Sequence, residues 1–115
     1  MAHGPTVLMN FKDLPTDERV RDSIEARCRI LTEEFQEITR FEFTLSGEGN
    51  GFTAHGHVRG KSTDVATHAA ANQLGVAADQ LLDKVERQLR RAHDKRIFAQ
   101  RRGAQRDPPK RKPGD

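Results

Sequence analysis

Apolar and polar residues follow two different periods along the first third of the chain. From Thr6 to Phe11 they alternate with a period of two, which predicts a strand. After a proline, apolar residues recur at steps of three and four, which predicts a helix capped by Thr16 and running to about Glu37. The apolar stripe of this helix contains Val20, Ile24, Cys28, Leu31, Phe35 and Ile38.

A period of two returns after this helix. Phe41, Phe43 and Leu45 alternate with polar residues, which predicts a second strand, and the glycine-rich run 47–51 predicts a turn. A third strand follows, with Phe52, Ala54, Gly56 and Val58 on its apolar face. A second turn at residues 60–62 leads to a fourth strand of small residues over 64–71.

A second helix is predicted between about Leu74 and Arg96. Its apolar face contains Ala78, Leu81, Leu82, Val85, Leu89 and Ala92. Two amphipathic helices and four strands with one apolar face each can bury all of these faces in a single core. We therefore expect an α+β fold. Its element order is β-α-β-β-β-α, with a four-stranded sheet, both helices packed on one face and the other face open to solvent. Residues 1–97 form this domain, and residues 98–115 form a basic tail expected to be disordered.

The composition fits one small intracellular domain. The 115 residues are 34% hydrophobic and 32% charged, with a mean hydropathy of −0.82. The sequence has no run of about 20 apolar residues for a membrane span and no secretory signal segment. A single cysteine, Cys28, lies on the apolar stripe of the first helix and behaves as a small core residue. These features predict a cytoplasmic, reducing location.

The charge is distributed unevenly along the chain. Residues 1–83 carry eight basic and thirteen acidic residues, for a net charge of −5, whereas residues 84–115 carry twelve and four, for +8. A local positive segment on a small domain is typical of a protein that binds a polyanion, most commonly nucleic acid. The alternative is a solvated tail that keeps the protein soluble.

The candidate RNA-binding residues lie on the second helix and just after it. Lys84, Arg87, Arg91 and Lys95 recur at steps of three and four on a face that differs from the apolar one. Arginine forks match phosphate oxygens, although any solvated helix shows a similar stripe. The sequence has no Tyr or Trp, and the phenylalanines of the strands fall on the predicted buried face. Recognition of folded RNA by its shape and phosphates is therefore favoured over base stacking. The full predicted set is Lys84, Arg87, Arg90, Arg91, Lys95, Arg96, Arg101 and Arg102.

Three histidines are the candidates for metal chemistry. His55 and His57 alternate on one strand and His68 lies on the next, so imidazole ligands for zinc are conceivable, but no fourth ligand is placed by spacing. Histidines on a wet sheet face are the simpler interpretation. Since no catalytic or phosphate-cradling motif is present, we expect no enzyme activity, no metal and no cofactor. A small metalloenzyme built on these histidines is the competing hypothesis, and metal analysis distinguishes the two.

Several segments together resemble a known family. They are the element order, the opening strand, the long first helix and the run from His68 to Leu89, which contains Ala77-Ala78-Asp79, Asp83-Lys84-Val85 and Arg87-Gln88-Leu89. Over residues 6–96 the chain resembles the bacterial ribosome hibernation-promoting factors and the ribosome-associated inhibitor, once called sigma-54 modulation proteins.

The resemblance implies a function in translation. A member of this family binds the decoding channel of the small ribosomal subunit, overlaps the sites of transfer and messenger RNA, and silences ribosomes in stressed or stationary-phase cells. It implies contacts to 16S-type ribosomal RNA from Lys84, Arg87, Arg90, Arg91 and Lys95. No catalysis, small-molecule substrate or membrane is implied, and off the ribosome we expect a monomer.

Two points stay open at this stage. The chain stops at Asp115, before the additional dimerising domain of the long factors, so promotion and prevention of ribosome pairing are both compatible with the resemblance. The alternative function is a general RNA-binding or transcription-modulating protein with a shape like that of double-stranded-RNA-binding domains.

Overall fold

The computed structural model describes the backbone of residues 4–105 and the side chains of residues 4–95. The elements follow the predicted order, so the expected α+β fold is confirmed. They are β1 (Thr6–Lys12), α1 (Glu18–Glu34), β2 (Ile38–Glu48), β3 (Gly51–Gly60), β4 (Thr63–Ala71) and α2 (Leu74–Gln105).

Helix α1 begins and ends at other residues than the sequence predicted. Asp17, not Thr16, is the N-cap, and its carboxylate accepts hydrogen bonds from the backbone N–H groups of Arg19 and Val20. The helix ends at Glu34 and not at Glu37. Phe35 is its C-cap and Ile38 already belongs to β2. Both residues remain buried, which explains why they continue the apolar pattern of the helix.

The four strands form one mixed sheet in the order β1-β2-β3-β4. Helix α1 connects the parallel pair β1 and β2, whereas β2, β3 and β4 are antiparallel neighbours. The register places Phe43 opposite Gly56 and His55 opposite His68. Strands β1 and β4 are the two edges of the sheet.

The tight turn between β3 and β4 is fixed by close backbone contact with Glu37, which lies between α1 and β2. A β-carbon at Gly60 would lie 2.2 Å from the carbonyl oxygen of Glu37, so only glycine fits there. The next residue, Lys61, donates its backbone N–H to the same carbonyl, and Ser62 has a positive φ of 66°. This turn therefore sets the register of the β3–β4 hairpin.

Both helices pack on one face of the sheet, as expected. The core joins Ile24 and Leu31 of α1 and Leu81 and Val85 of α2 to the inward residues of the central strands in one cluster. The inward residues of β2, β3 and β4 are Phe41, Phe43, Leu45, Ala54, Val58, Val65 and Ala69. The opposite face carries polar or small residues such as Thr44, His55 and Ala66, and it is left uncovered by the elements described.

Helix α2 continues to Gln105, past its expected end at Arg96. Residues 106–115 of the expected tail lie outside the described residues, so the division into a domain ending at residue 97 and a disordered tail stays a prediction. In the part of the chain that is described, neither helix has the length and apolar character needed to cross a membrane.

Candidate nucleic-acid interface

Three basic residues form an outward row along the middle of α2. Arg87, Arg91 and Lys95 are spaced by four residues and are exposed, while Val85 and Leu89 on another face are fully buried. Among the side chains of residues 4–95, no carboxylate forms a salt bridge with any of these three cations. We call Lys84, Arg87, Arg91 and Lys95 the α2 stripe. Its outer cations present charge to solvent that none of the described carboxylates neutralises.

Lys84, the first residue of the α2 stripe, is anchored to the sheet. Its Nζ donates a hydrogen bond of 2.9 Å to the backbone carbonyl oxygen of His68 in the edge strand β4. Its side chain is partly buried, unlike those of Arg87 and Arg91. The hydrogen bond fixes the start of the stripe against the edge of the sheet.

Arg90 differs from the residues of the α2 stripe because it is engaged with α1. Its guanidinium donates to Glu34 at 2.5 Å and to Glu86 at 2.6 Å, and it lies 5.7 Å from the ring centre of Phe35. The hydrogen bonds to Glu34 and Glu86 raise the pKa of Arg90. Its charge is balanced within the protein, so it connects the two helices in this structure.

A second arginine extends this connection along the seam between the helices. Arg27 of α1 lies 3.1 Å from Asp83 and 3.3 Å from Glu86 of α2, so Glu86 is shared by Arg27 and Arg90. The sequence analysis did not identify Arg27 or its partners. Both partners of Arg27 lie on α2, and pairing over more than fifty positions depends on how the helices pack, which no sequence pattern marks.

The remaining predicted site residues lie where their side chains are not described. Arg96, Arg101 and Arg102 belong to α2 by backbone. The structure thus brings Lys84, Arg87, Arg91 and Lys95 together, assigns Arg90 to the helix seam, and leaves the other three as predictions.

The three histidines divide into a stacked pair and a single acid-paired residue. His55 and His68 are cross-strand partners whose ring centres lie 5.5 Å apart at an interplanar angle of 28°. His57 is 2.6 Å from a carboxylate oxygen of Asp64 and 4.0 Å from one of Glu42. Across the described residues, no group of three or more His, Cys, Asp or Glu side chains is arranged to hold a metal ion.

The acidic groups on this open face are paired as well. Arg40 donates to Glu42 at 2.5 Å, and this hydrogen bond lowers the pKa of the Glu42 carboxyl group. Asp64 is paired with His57, next to Arg59. The face around the stacked histidines is therefore close to neutral.

Comparisons with known proteins were made for both the sequence and the fold. A family model described as Sigma 54 modulation protein / S30EA ribosomal protein matches residues 7–97. No curated protein sequence matches the chain.

Two solved structures are similar in fold. The chain is similar to a ribosomal subunit interface protein from Coxiella burnetii, with a TM-score of 0.68 and 14% identity. It is also similar to the N-terminal domain of Protein Y from Thermus thermophilus, with a TM-score of 0.66 and 22% identity. Each similarity covers 77% of this chain and 98% of the other. At these identities the likeness concerns the fold.

Proposed function

The chain belongs to the Sigma 54 modulation protein / S30EA ribosomal protein family, and from this membership and the α2 stripe we propose that it is a ribosome-associated hibernation factor. It inhibits translation by binding folded RNA of the small subunit in the decoding channel. There it excludes transfer and messenger RNA, and it needs no catalytic step. This proposal places the protein in the cytoplasm, with the small subunit and its 16S-type ribosomal RNA as partners.

The observation that supports this proposal is the contrast between paired and unpaired basic residues. Arg27 and Arg90 are held by carboxylates of the helix seam, whereas Arg87, Arg91 and Lys95 have no such partner among the described side chains. Guanidinium groups form charge-assisted, bidentate hydrogen bonds with phosphate oxygens. A row of such groups over two helical turns suits the closely spaced phosphates of folded RNA.

The same observation supports a second candidate, a general binder of double-stranded RNA. Phosphate contacts carry no sequence information, and A-form RNA is recognised mainly by its shape and backbone. The two candidate functions differ in the relative affinity that they predict for small subunits and for free duplex RNA. A ribosome-directed factor binds small subunits much more tightly than free duplex RNA, whereas a general binder has similar affinities for both.

The first prediction concerns charge reversal on the α2 stripe. Arg87→Glu combined with Arg91→Glu replaces two phosphate contacts by repulsion and is expected to weaken binding to small subunits at least about a hundredfold. Cosedimentation of the purified variant with small subunits in sucrose gradients at moderate salt measures this effect. Competition with free duplex RNA in the same gradients decides between the two candidate functions.

The control has the same change in charge on another surface. Arg19→Glu combined with Arg29→Glu reverses two exposed arginines of α1, neither of which belongs to the α2 stripe. We expect it to cosediment nearly as the native protein does. Native-like cosedimentation of the Arg87/Arg91 variant, with a normal circular-dichroism spectrum, would contradict the assignment of the α2 stripe.

A further inference from the structure

The open face of the sheet, opposite to the helices, has a groove formed by β2, β3 and β4. Its volume is about 360 Å³, within the roughly 300 to 1,000 Å³ typical of small-molecule sites. Glu42, Thr44, His55, His57, Ala66 and His68 contribute to its lining. The stacked imidazoles of His55 and His68 are the largest planar surfaces there.

The neighbours of the stacked pair leave room for a flat ligand. Along β4, the residues two positions before and after His68 on the same face are Ala66 and Ala70. Across the sheet, Thr44 is the partner of His55 and provides a hydroxyl group at the other end of the row. The pair thus projects above small side chains on β4, where a planar group can lie against an imidazole.

The charge of the groove fits an aromatic base better than a phosphate. Glu42 is paired with Arg40, and Asp64 is the cross-strand partner of Arg59, so the carboxylates nearest to the groove are balanced by arginines and the groove presents little net charge. Nucleobases that are free of a duplex are commonly bound by stacking on aromatic side chains, including histidine. Phosphates, in contrast, are attracted to the cations of the α2 stripe.

Lys84 connects the groove to the stripe. Its ammonium group bonds to the backbone of His68, the histidine at the edge of the sheet, and Lys84 is also the first cation of the α2 stripe. Lys84 thus marks the β4 edge, where an RNA strand held by the stripe can turn onto the open face and reach the groove. We propose that this groove, through His55 and His68, binds an unpaired base of the same RNA that contacts the α2 stripe. The inference rests on the proposed RNA-binding function and adds a base contact to it.

The test compares two RNA probes with the same phosphate charge. One is a pentamer of adenosine nucleotides, and the other is the matching abasic ribose-phosphate pentamer. The full chain is titrated with each at low salt and at pH 8, where free imidazole is neutral. We expect the adenosine pentamer to bind about five- to tenfold more tightly, as stacking of one base typically allows.

Variants separate this inference from the proposed function. His55→Ala combined with His68→Ala is expected to abolish the preference for the adenosine pentamer. Thr6→Ala combined with Asn10→Ala, at exposed positions of β1 on the same face, should retain the preference. The Arg87/Arg91 charge reversal should weaken binding of both pentamers equally and leave their ratio unchanged. If the charge reversal weakens the binding of neither pentamer, the α2 stripe is wrongly assigned as the phosphate contact. The ratio of the two affinities still tests the groove in that case.

Nuclear magnetic resonance provides a readout that requires no variant. In the native protein, the imidazole protons of His55 and His68 should shift upfield with the adenosine pentamer and not with the abasic one. Equal affinities for the two pentamers, a preference that survives in the double histidine variant, or unmoved imidazole resonances would each overturn the proposal.

Discussion

Cys28 shows how the environment of one side chain determines its chemistry. It lies on the inner face of α1 and is only 2% exposed. Burial raises the pKa of its thiol to about 12, with a smaller contribution from Glu25. Because the thiolate is the reactive form of cysteine, the folded protein keeps this thiol inert. The prediction that Cys28 is a core residue is confirmed.

The raised pKa predicts that the folded protein loses stability in alkaline solution. Above the ordinary thiol pKa, the unfolded chain releases a proton that the folded chain retains, so the free energy of unfolding falls as pH rises toward 12. Between pH 8 and pH 10 the thiol should account for a loss of roughly 1 to 2 kcal/mol. Urea unfolding at both pH values measures the loss.

The matched control is Cys28→Ala, which removes the thiol and leaves other alkaline titrations in place. The native protein should lose more stability than this variant over the same pH range. Equal losses would mean that the thiol ionises in the folded state as easily as in the unfolded state. Native Cys28 should also resist thiol reagents at pH 8 until denaturant is added.

At individual positions, the sequence predicts the face on which a side chain lies but not its partner. Periodicity correctly placed Arg87 and Arg91 on an outer face of α2 and Leu89 on the inner one. It did not separate Arg90 from them, because the engagement of Arg90 depends on how α1 packs against α2. The stacking of His55 on His68 was likewise beyond sequence analysis, since it follows from the register of β3 and β4.

At the scale of whole elements, burial patterns locate strands and helices better than they locate boundaries. The first three strands were predicted because a period of two has no helical equivalent, and the fourth from its run of small residues after a turn. The end of α1 was misplaced because Phe35 and Ile38 are buried by the same core after the chain leaves the helix. The cap was misplaced by one residue because Thr16 and Asp17 both suit an N-cap.

Helix α2 offers a test of its assigned faces. Leu89 is 1% exposed and packs in the core, so Leu89→Asp places an unpaired carboxylate there. The expected cost is several kcal/mol, comparable to the total stability of a domain of this size. The variant should aggregate, or melt at a much lower temperature in a thermal scan monitored by circular dichroism.

The control for this variant is Gln80→Asp, which introduces the same side chain at an exposed position of α2. It should remain folded, with a melting temperature near that of the native protein. A soluble Leu89→Asp protein with an unchanged melting temperature would show that the inner face of α2 is wrongly assigned. The α2 stripe would then also be the wrong surface.

At the scale of the whole molecule, the charge is distributed asymmetrically. The net positive charge is concentrated in the C-terminal part of the chain. Within the described side chains, Arg21 of α1 pairs with Glu18, and Arg27 and Arg90 pair with acids across the helix seam. The outer part of α2 brings three cations without a described carboxylate partner into one row, and the sequence adds further basic residues after it. We expect the end of α2 and the residues after it to extend the proposed contact with RNA.

The last prediction tests whether this end contacts RNA. Cutting the chain after Gln100 removes Arg101, Arg102, Arg106, Lys110, Arg111 and Lys112. If these residues contact phosphates, the slope of log affinity for small subunits against log salt should flatten by roughly 0.7 to 0.9 for each lost contact. We expect binding to weaken but persist, because the α2 stripe remains.

Two further variants separate the charge of this segment from its length and from the end of the helix. A cut after Gln105 keeps all of α2, and a full-length chain with Arg106, Lys110, Arg111 and Lys112 changed to Gln keeps the length. If the segment acts by charge, both should flatten the salt slope to the same extent, and less than the cut after Gln100. An unchanged slope and affinity after the longer cut would show that these residues make no RNA contact. Complete loss of binding would instead place the main site on this segment, because an intact α2 stripe would then be insufficient to bind the small subunit.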